Sequence, residues 1–534
     1  MRKVNVVDVT LRDGGCVINF DFGYRNMCSI LEGLNASAID CVEIGYIHAS
    51  KGSEEGRTQF SNDQAANHFL LGKKKKQTTY LAMVDYGTFD VEQLAIRTEN
   101  SIDGIRLAFH KKDFRNIGEI GRRVMEKGYL FFVQPMLTLR YRDAELLELI
   151  DLVNYELPNT AAFYIVDSFG EMRNNDVIRA LNLVDHNLNK GIPIGFHSHN
   201  NLQMSYANAI SFLQFPTLRD LYLDASIMGM GKGAGNLISE LLLEHLNLYF
   251  GAQYEILPLL NVIDTVVARF RSDTFWGYSA EYYLSAINQC TPSYAQHFHN
   301  KHMLPINEIG ELLGRIEDTK KVSFDQAYAD RIYQEYLSRP VDDHASVQEL
   351  RRIFEGKEIL VLAPGRSIER EQETILQYIA GHDVVVLTLN TVHHRIPVDY
   401  IFISNRKRYQ AYCEAFGQGS NIPMICTSNI LVETAYLVNY TDYTCQESCI
   451  ESNAGMMALN LMLRLGAGKL TLAGFDGYGF RQHAEDAPSD PMTYEEWDHL
   501  NQAIREHIQQ IAQKIEVRFL TKSRYCCGQQ VGGT

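Results

Sequence analysis

A chain of 534 residues exceeds what one ordinary core supports, so two domains are expected. Its composition, 46% hydrophobic and 22% charged, is that of a folded protein and excludes general disorder. A formal charge of −15 excludes a general binder of nucleic acids or anionic membranes, because phosphate attraction needs a basic surface.

From the N-terminus, β-rich runs at residues 4–9, 41–46, 79–84, 104–109, 129–134, 162–167, 193–197 and 221–225 alternate with longer amphipathic stretches such as 24–38, 112–127, 174–190 and 202–215. This rhythm within about 250 residues predicts a (β/α)₈ TIM barrel, although an open doubly wound sheet alternates in a similar way. The strand ends favour the barrel: Asp13, Glu43, His48, Asp85, His110, Gln134, Asp167, His197 and Asp224 follow apolar runs, as a site shared by the carboxyl ends of all strands requires.

After residue 250 the pattern turns helical, at 257–270, 280–288 and 325–337, and Arg339-Pro340 interrupts it. Residues 291–355 are therefore expected to be a helical connector after a barrel of residues 1–290. A new α/β unit is predicted over 356–534, with strands at 358–363, 383–389, 400–404, 424–427, 469–473 and 517–520, a Rossmann-like doubly wound rhythm. In its first strand-to-helix turn, the backbone of Gly365, Arg366 and Ser367 offers an anion cradle for a nucleotide, though an ordinary turn reads the same way.

The chemistry concentrates in two motifs. His197-Ser198-His199 closes the seventh strand, where residues i and i+2 face one side and can aim two imidazoles at one ion. Two hydrogen-bonded core histidines would show the same spacing. Asp8-Val9-Thr10-Leu11-Arg12-Asp13-Gly14 closes the first strand, two places away around an eight-stranded ring, within reach of that ion. A salt bridge beside a glycine turn is the alternative. Two imidazoles and a carboxylate suit Mn²⁺, Co²⁺ or Zn²⁺.

Together these motifs resemble the DRE-TIM metallolyases. Residues 195–210, with Asn200-Asn201-Leu202 and Ala207-Asn208, are similar to the 4-hydroxy-2-oxovalerate aldolase branch. The resemblance covers residues 1–290. It implies a metal held by Asp13, His197 and His199, with Asn236 of the glycine-rich stretch 229–236 approaching it; a plain helix entry explains that stretch equally well. It implies Mn²⁺ first, with Mg²⁺, Co²⁺ or Zn²⁺ as alternatives, and Arg12 as the cation that stabilises an enolate. Glu43 and Asp167 match acidic strand-end positions that are either catalytic or part of the site wall. The reaction implied makes or breaks a carbon–carbon bond between a 2-oxo acid, pyruvate, and an aldehyde. An acyl-CoA Claisen reaction on the same barrel is the alternative, as is a degenerate barrel serving the second domain. One departure stands out. The branch carries a proton-moving histidine three residues after the metal aspartate, and this chain has Cys16; His48, His110 or Tyr278 are the substitutes.

In the second domain, Asn453-Ala454-Gly455-Met456 and residues 472–477 loosely resemble bacterial sialyltransferase-like and pterin pyrophosphokinase-like domains. That resemblance implies a nucleotide or nucleotide-sugar ligand and a role in surface-polysaccharide or sugar-acid synthesis. Ten cysteines without a CxxC pair, and no signal-peptide pattern, predict a reducing cytoplasm. No apolar run approaches the roughly 20 residues that cross a bilayer. Neither a nucleic-acid nor a membrane partner is expected, and a homo-oligomer is.

Overall fold

Strands of a closed parallel barrel meet packed side chains on both faces, so they read as unbroken apolar runs rather than alternating ones. The computed structural model describes residues 2–52, 54–393, 395–416, 422–430, 432, 435–479 and 494–526. In it, eight such runs form a ring: β1 (Val4–Asp8), β2 (Cys41–Ile47), β3 (Thr79–Asp85), β4 (Gly104–Phe109), β5 (Leu130–Pro135), β6 (Ala162–Asp167), β7 (Ile194–Ser198) and β8 (Leu221–Ala225). Each pairs in parallel with its neighbours in sequence, and β1 pairs with both β2 and β8, which closes the barrel. The two-residue strand Gln59–Phe60 adds to β2 outside the ring. This excludes the open-sheet alternative for the first unit.

The two-residue period of each strand divides its side chains between two cores. Val6, Ile44, Ile105, Ile165 and Leu223 face outward into a shell shared with helices such as Tyr24–Ala36 and Asn174–Asn187. Val7, Cys41, Leu81, Phe132, Tyr164 and Val166 face inward and plug the ring. Each fully buried aliphatic or phenyl side chain stabilises the fold by roughly 1.5–3 kcal/mol. Continuing the inward register toward the carboxyl ends reaches Glu43 after Cys41, Asp85 after Leu81, His197 after Gly195 and Asp224 after Tyr222. Gly195 is required here, because a Cβ would lie 2.3 Å from the Tyr164 ring. In β2 the register shifts between Glu43 and Tyr46. Gly45 takes φ +150° at this bulge, and a Cβ on it would lie 2.0 Å from the Thr58 carbonyl oxygen. The bulge re-aims the strand so that the Tyr46 ring lies 5.7 Å from the Arg12 guanidinium.

The chain divides into two compact units, Met1–His297 with Leu313–Phe324, and Phe298–Leu312 with Asp325–Thr534. The stretch 291–355 is helical, with Pro292–Asn300, Ile306–Gly314, Gln326–Leu337 and His344–Phe354, and contributes residues to both units. The second unit holds a seven-stranded, all-parallel sheet: β9 (Glu358–Leu362), β10 (Val384–Leu389), β11 (Tyr400–Ile403), β12 (Met424–Thr427), β13 (Tyr436–Val438), β14 (Lys469–Ala473) and β15 (Glu516–Phe519). Its order is β13-β12-β11-β10-β9-β14-β15, so the direction of winding reverses at β9. Strand β13 was not expected from sequence, since three residues are too few to display a period.

Among the described residues no helix is long and apolar enough to cross a membrane. The described cysteines are free thiols.

Candidate functional site

Asp13, His197 and His199 are all buried, and each brings one ligand atom to within 4.8 Å of the others. The surrounding structure decides which atoms face the centre. His197 Nδ1 lies 2.9 Å from Asp224 Oδ2, and His199 Nδ1 lies 3.1 Å from the Lys232 carbonyl oxygen. Each outer contact leaves the Nε2 of its ring for the shared centre, the arrangement that fixes ring orientation in metal-binding histidines. His199 Nε2 is 3.5 Å from Asp13 Oδ2, an oxygen that is buried and has no hydrogen-bond partner among the described residues. Leaving such an acceptor unsatisfied costs about 1–3 kcal/mol, and a divalent cation would satisfy it. The residues present therefore fit a metal.

Protonation states agree with this. Burial pushes the His199 pKa down to about 4, so its ring is a neutral ligand at ordinary pH. Burial raises the Asp13 carboxyl, but the opposing charges of His199 and Arg12 outweigh it and hold Asp13 well below the usual carboxylate range.

A buried ion network supports the cluster. Arg12 Nε donates to Glu43 Oε2 at 2.6 Å, and its Nη1 donates to Asp13 Oδ1 at 3.1 Å. The same Glu43 oxygen is 3.0 Å from Arg106 Nη1, and Arg106 Nη2 donates to Asp224. Asp224 in turn holds His197, so one chain of charges runs across the barrel interior from the neighbour of one ligand to another ligand. The Arg106 guanidinium also stacks over Tyr164 at 4.7 Å.

The expected residues fall into distinct groups. Arg12 stands at the cluster, and Glu43 orients the two arginines. Asn236 pairs with His199 in an isolated antiparallel bridge. Its Nδ2 donates to the Met230 carbonyl at 3.1 Å, and its buried Oδ1 has no partner among the described residues.

At three of the expected positions the structure favours the plainer of the alternatives. The Asp167 carboxylate accepts the backbone N–H groups of Glu171 at 2.9 Å and Met172 at 3.1 Å, so it anchors the loop after β6 instead of facing a substrate. Cys16 lies beside the site, with Sγ 3.8 Å from Asp13 Oδ1, and burial, reinforced by Asp13, pushes its thiol up to about 12. In the second unit, Asp476 accepts the Ser367 N–H at 2.8 Å and its hydroxyl, and the Gly474 carbonyl takes the Gly365 N–H at 3.0 Å. These two residues meet internal acceptors, one of them a carboxylate that repels anions, so the N–H groups of Gly365 and Ser367 are not free for an anion. His48 is half-buried and pairs through Nδ1 with Ser50 at 3.2 Å.

Sequence reasoning assigned no role to Arg106, Asp224, Asp85 or Lys232. A signal for Arg106 was available, since it is a charge in the middle of the otherwise apolar run Gly104–Phe109. Asp85 is half-buried at the end of β3; burial raises its pKa to about 6, with Arg12 lowering it and Glu43 raising it. A cavity of about 500 Å³, lined in part by Cys16, Phe20, Lys232 and Tyr282, adjoins the cluster.

Residues 3–249 match the HMGL-like family model. The chain is 28% identical over 244 residues to the 4-hydroxy-2-oxovalerate aldolase of Moorella thermoacetica, covering 45% of this chain and 69% of that one. It is 25% identical over 325 residues to the enzyme of the same name from Shewanella pealeana, covering 59% of this chain and 92% of that one. Among solved structures, the N-terminal domain of a candidate aldolase from Bacteroides vulgatus superposes with a TM-score of 0.50 at 25% identity, covering 57% of this chain and 98% of that one.

Proposed function

We propose that the first unit is a divalent-metal-dependent carbon–carbon lyase of the aldolase type, working through the enolate of pyruvate. The observation that carries this is the convergence of Asp13, His197 and His199 on one point with the Arg12 guanidinium fixed beside it. Asp13 and the two Nε2 atoms hold the ion, with the Asn236 side-chain oxygen as a further donor. Their mixed nitrogen and oxygen character suits Mn²⁺, Co²⁺ or Zn²⁺; the family resemblance is what puts Mn²⁺ first, with Mg²⁺ a further alternative. A bound ion supplies Lewis acidity at the keto oxygen of the 2-oxo acid.

The protein's own groups do the rest. Arg12, held by Glu43 and Asp13, stabilises negative charge as it develops on the enolate oxygen. In the cleavage direction a base takes the proton of the substrate's 4-hydroxyl, the carbon–carbon bond breaks toward the keto group, and the aldehyde leaves. The pyruvate enolate then takes up a proton. We assign the base to Asp85, which shares the inward face with Glu43 and lies within electrostatic reach of Arg12. Asp85→Asn is expected to lower the cleavage rate roughly 10²- to 10³-fold with metal content unchanged. In the parent protein the rate should rise with pH through about 6, as the carboxyl loses its proton, and that limb should vanish in the variant. A variant that keeps both the rate and the limb removes Asp85 from this role.

The proposal as a whole is tested by following exchange of pyruvate's methyl protons in D₂O with and without Mn²⁺. Metal-dependent exchange is expected. Folded, metal-loaded protein that exchanges no 2-oxo acid proton defeats the reading, and turnover that requires an acyl-CoA redirects it to a Claisen reaction.

For the second unit we propose a Rossmann-like domain with a nucleotide or nucleotide-sugar ligand. Its all-parallel sheet with a reversal at β9 supports this, because ligands of such sheets bind at the carboxyl ends of the strands near the reversal; with the Gly365 and Ser367 N–H groups there taken by Gly474 and Asp476, the ligand's polar contacts come from other groups at those strand ends. Cytoplasmic location, homo-oligomeric assembly and a place in sugar-acid or polysaccharide synthesis belong to the same proposal.

A further inference from the structure

The cavity beside the metal cluster has two ends. Cys16, whose Sγ is 3.8 Å from Asp13 Oδ1, lies at the inner end, and Phe275 and Gln296 are exposed at the outer one. Its wall carries hydroxyls from Thr274, Tyr282 and Ser293 and one formal charge, the ammonium of Lys232. None of the residues lining it is acidic, although the chain has 65 acidic residues to 50 basic ones.

Lys232 is tied to the site through its backbone, since its carbonyl holds His199 Nδ1. Its side chain is independent of that contact. Nζ is 3.4 Å from Thr291 Oγ1 and meets no carboxylate among the described residues. Lys232 is exposed, so the lack of a counter-ion is ordinary for it; what marks it is its place on the wall of a substrate-sized cavity without acidic lining, where a cation can receive an anion. The other cation of the site, Arg12, is already committed to Glu43 and Asp13 beside the metal ligands.

We infer that the aldehyde partner of this reaction carries its own negative charge, a carboxylate or a phosphate, and that Lys232 selects it. The inference rests on the aldolase reading. The 2-oxo acid occupies the inner end against the metal and Arg12, and the aldehyde lies outward along the cavity with its anionic end at the ammonium. Lys232 is a specificity residue and takes no part in bond making.

The test measures binding by saturation-transfer NMR on Mg²⁺-loaded full-length protein, so that it does not depend on turnover. Succinic semialdehyde is compared with butanal, a carboxylate against a neutral chain of equal length, and glyceraldehyde 3-phosphate with glyceraldehyde. The expected result is a preference of at least about tenfold for the charged member of one pair, and the pair that shows it identifies carboxylate or phosphate as the group selected. Lys232→Met should erase that preference, and Lys232→Arg should keep it; both leave the backbone carbonyl on His199 in place. Equal binding within both pairs, or a preference that survives Lys232→Met, overturns the inference. So does a Lys232→Met protein in which pyruvate binding alone weakens, because the charge then serves the 2-oxo acid. Methyl-proton exchange of pyruvate, run on the same samples, reports on the parent reading separately: loss of exchange with the charge preference intact defeats the pyruvate assignment and leaves the anion site standing.

Discussion

Asp13→Asn, His197→Ala and His199→Ala should each abolish metal-dependent pyruvate exchange, by roughly 10³-fold or more, equivalent to about 4 kcal/mol of transition-state stabilisation. The size follows from how few donors there are. Asp13 supplies the only carboxylate of the cluster, and its buried Oδ2 has no other partner among the described residues. Each histidine has one nitrogen committed outward, to Asp224 or to the Lys232 carbonyl, so neither can substitute for the other by a ring flip without breaking that contact. Metal analysis of the purified variants, with circular dichroism to verify folding, separates loss of the ion from loss of the barrel. Asp224→Asn is the graded control. It keeps the ligand set but weakens the hold on His197 Nδ1, and a loss of about 10- to 100-fold in metal affinity is expected. Variants of the three ligands that retain full metal and full exchange would end the metal-centre assignment.

Arg106→Met should destabilise the barrel by about 3–5 kcal/mol, the cost of stranding buried charge partners. Arg106 is fully buried and bridges Glu43 to Asp224, both also inside the ring, so its removal leaves two carboxylates facing each other without a cation between them. The pH dependence has a defined sign. Burial raises the Asp224 carboxyl, but Arg106 and His197 outweigh it and hold it below its ordinary value. A carboxyl depressed in the folded state contributes stability above its unfolded pKa and loses it as pH falls through the folded one. The variant forfeits that contribution, so its deficit should be full at pH 7 and shrink as pH falls below about 4, the ordinary range of an aspartate, in urea unfolding measured at pH 7 and pH 3. A deficit independent of pH would show that the loss is one of packing over Tyr164 alone.

Much of the barrel was legible because a buried parallel strand has to be apolar along its length, and eight such runs at even spacing leave few alternatives. The metal cluster was legible for a related reason. A two-residue spacing on a strand, as in His197 and His199, fixes the relative direction of two side chains without knowledge of the fold. What could not be read was the second layer. Glu43 and Asp224 were legible as strand-end carboxylates, but Arg106, which joins them, comes from a third strand, and only barrel closure brings the three together. For Asp167 the sequence left two readings, catalytic acid or site wall: which way a strand-end carboxylate turns depends on the loop that follows, and here Glu171 and Met172 present N–H groups to it. At the turn Gly365 to Ser367 the sequence could not choose between cradle and ordinary turn, because the acceptor of Ser367, Asp476, arrives from 109 residues downstream.

The seam of the ring also has a consequence for the order of events during synthesis. β8 lies between β1 and β7, and Asp224 on it orients the first of the two ring ligands. Asp13, just past the end of β1, therefore leaves the ribosome long before His197 and His199, and the ring closes only once the last strand has been inserted between the first and the seventh. An ion held by Asp13, His197 and His199 would therefore be captured late, and would act as a clasp across the join that the chain makes last.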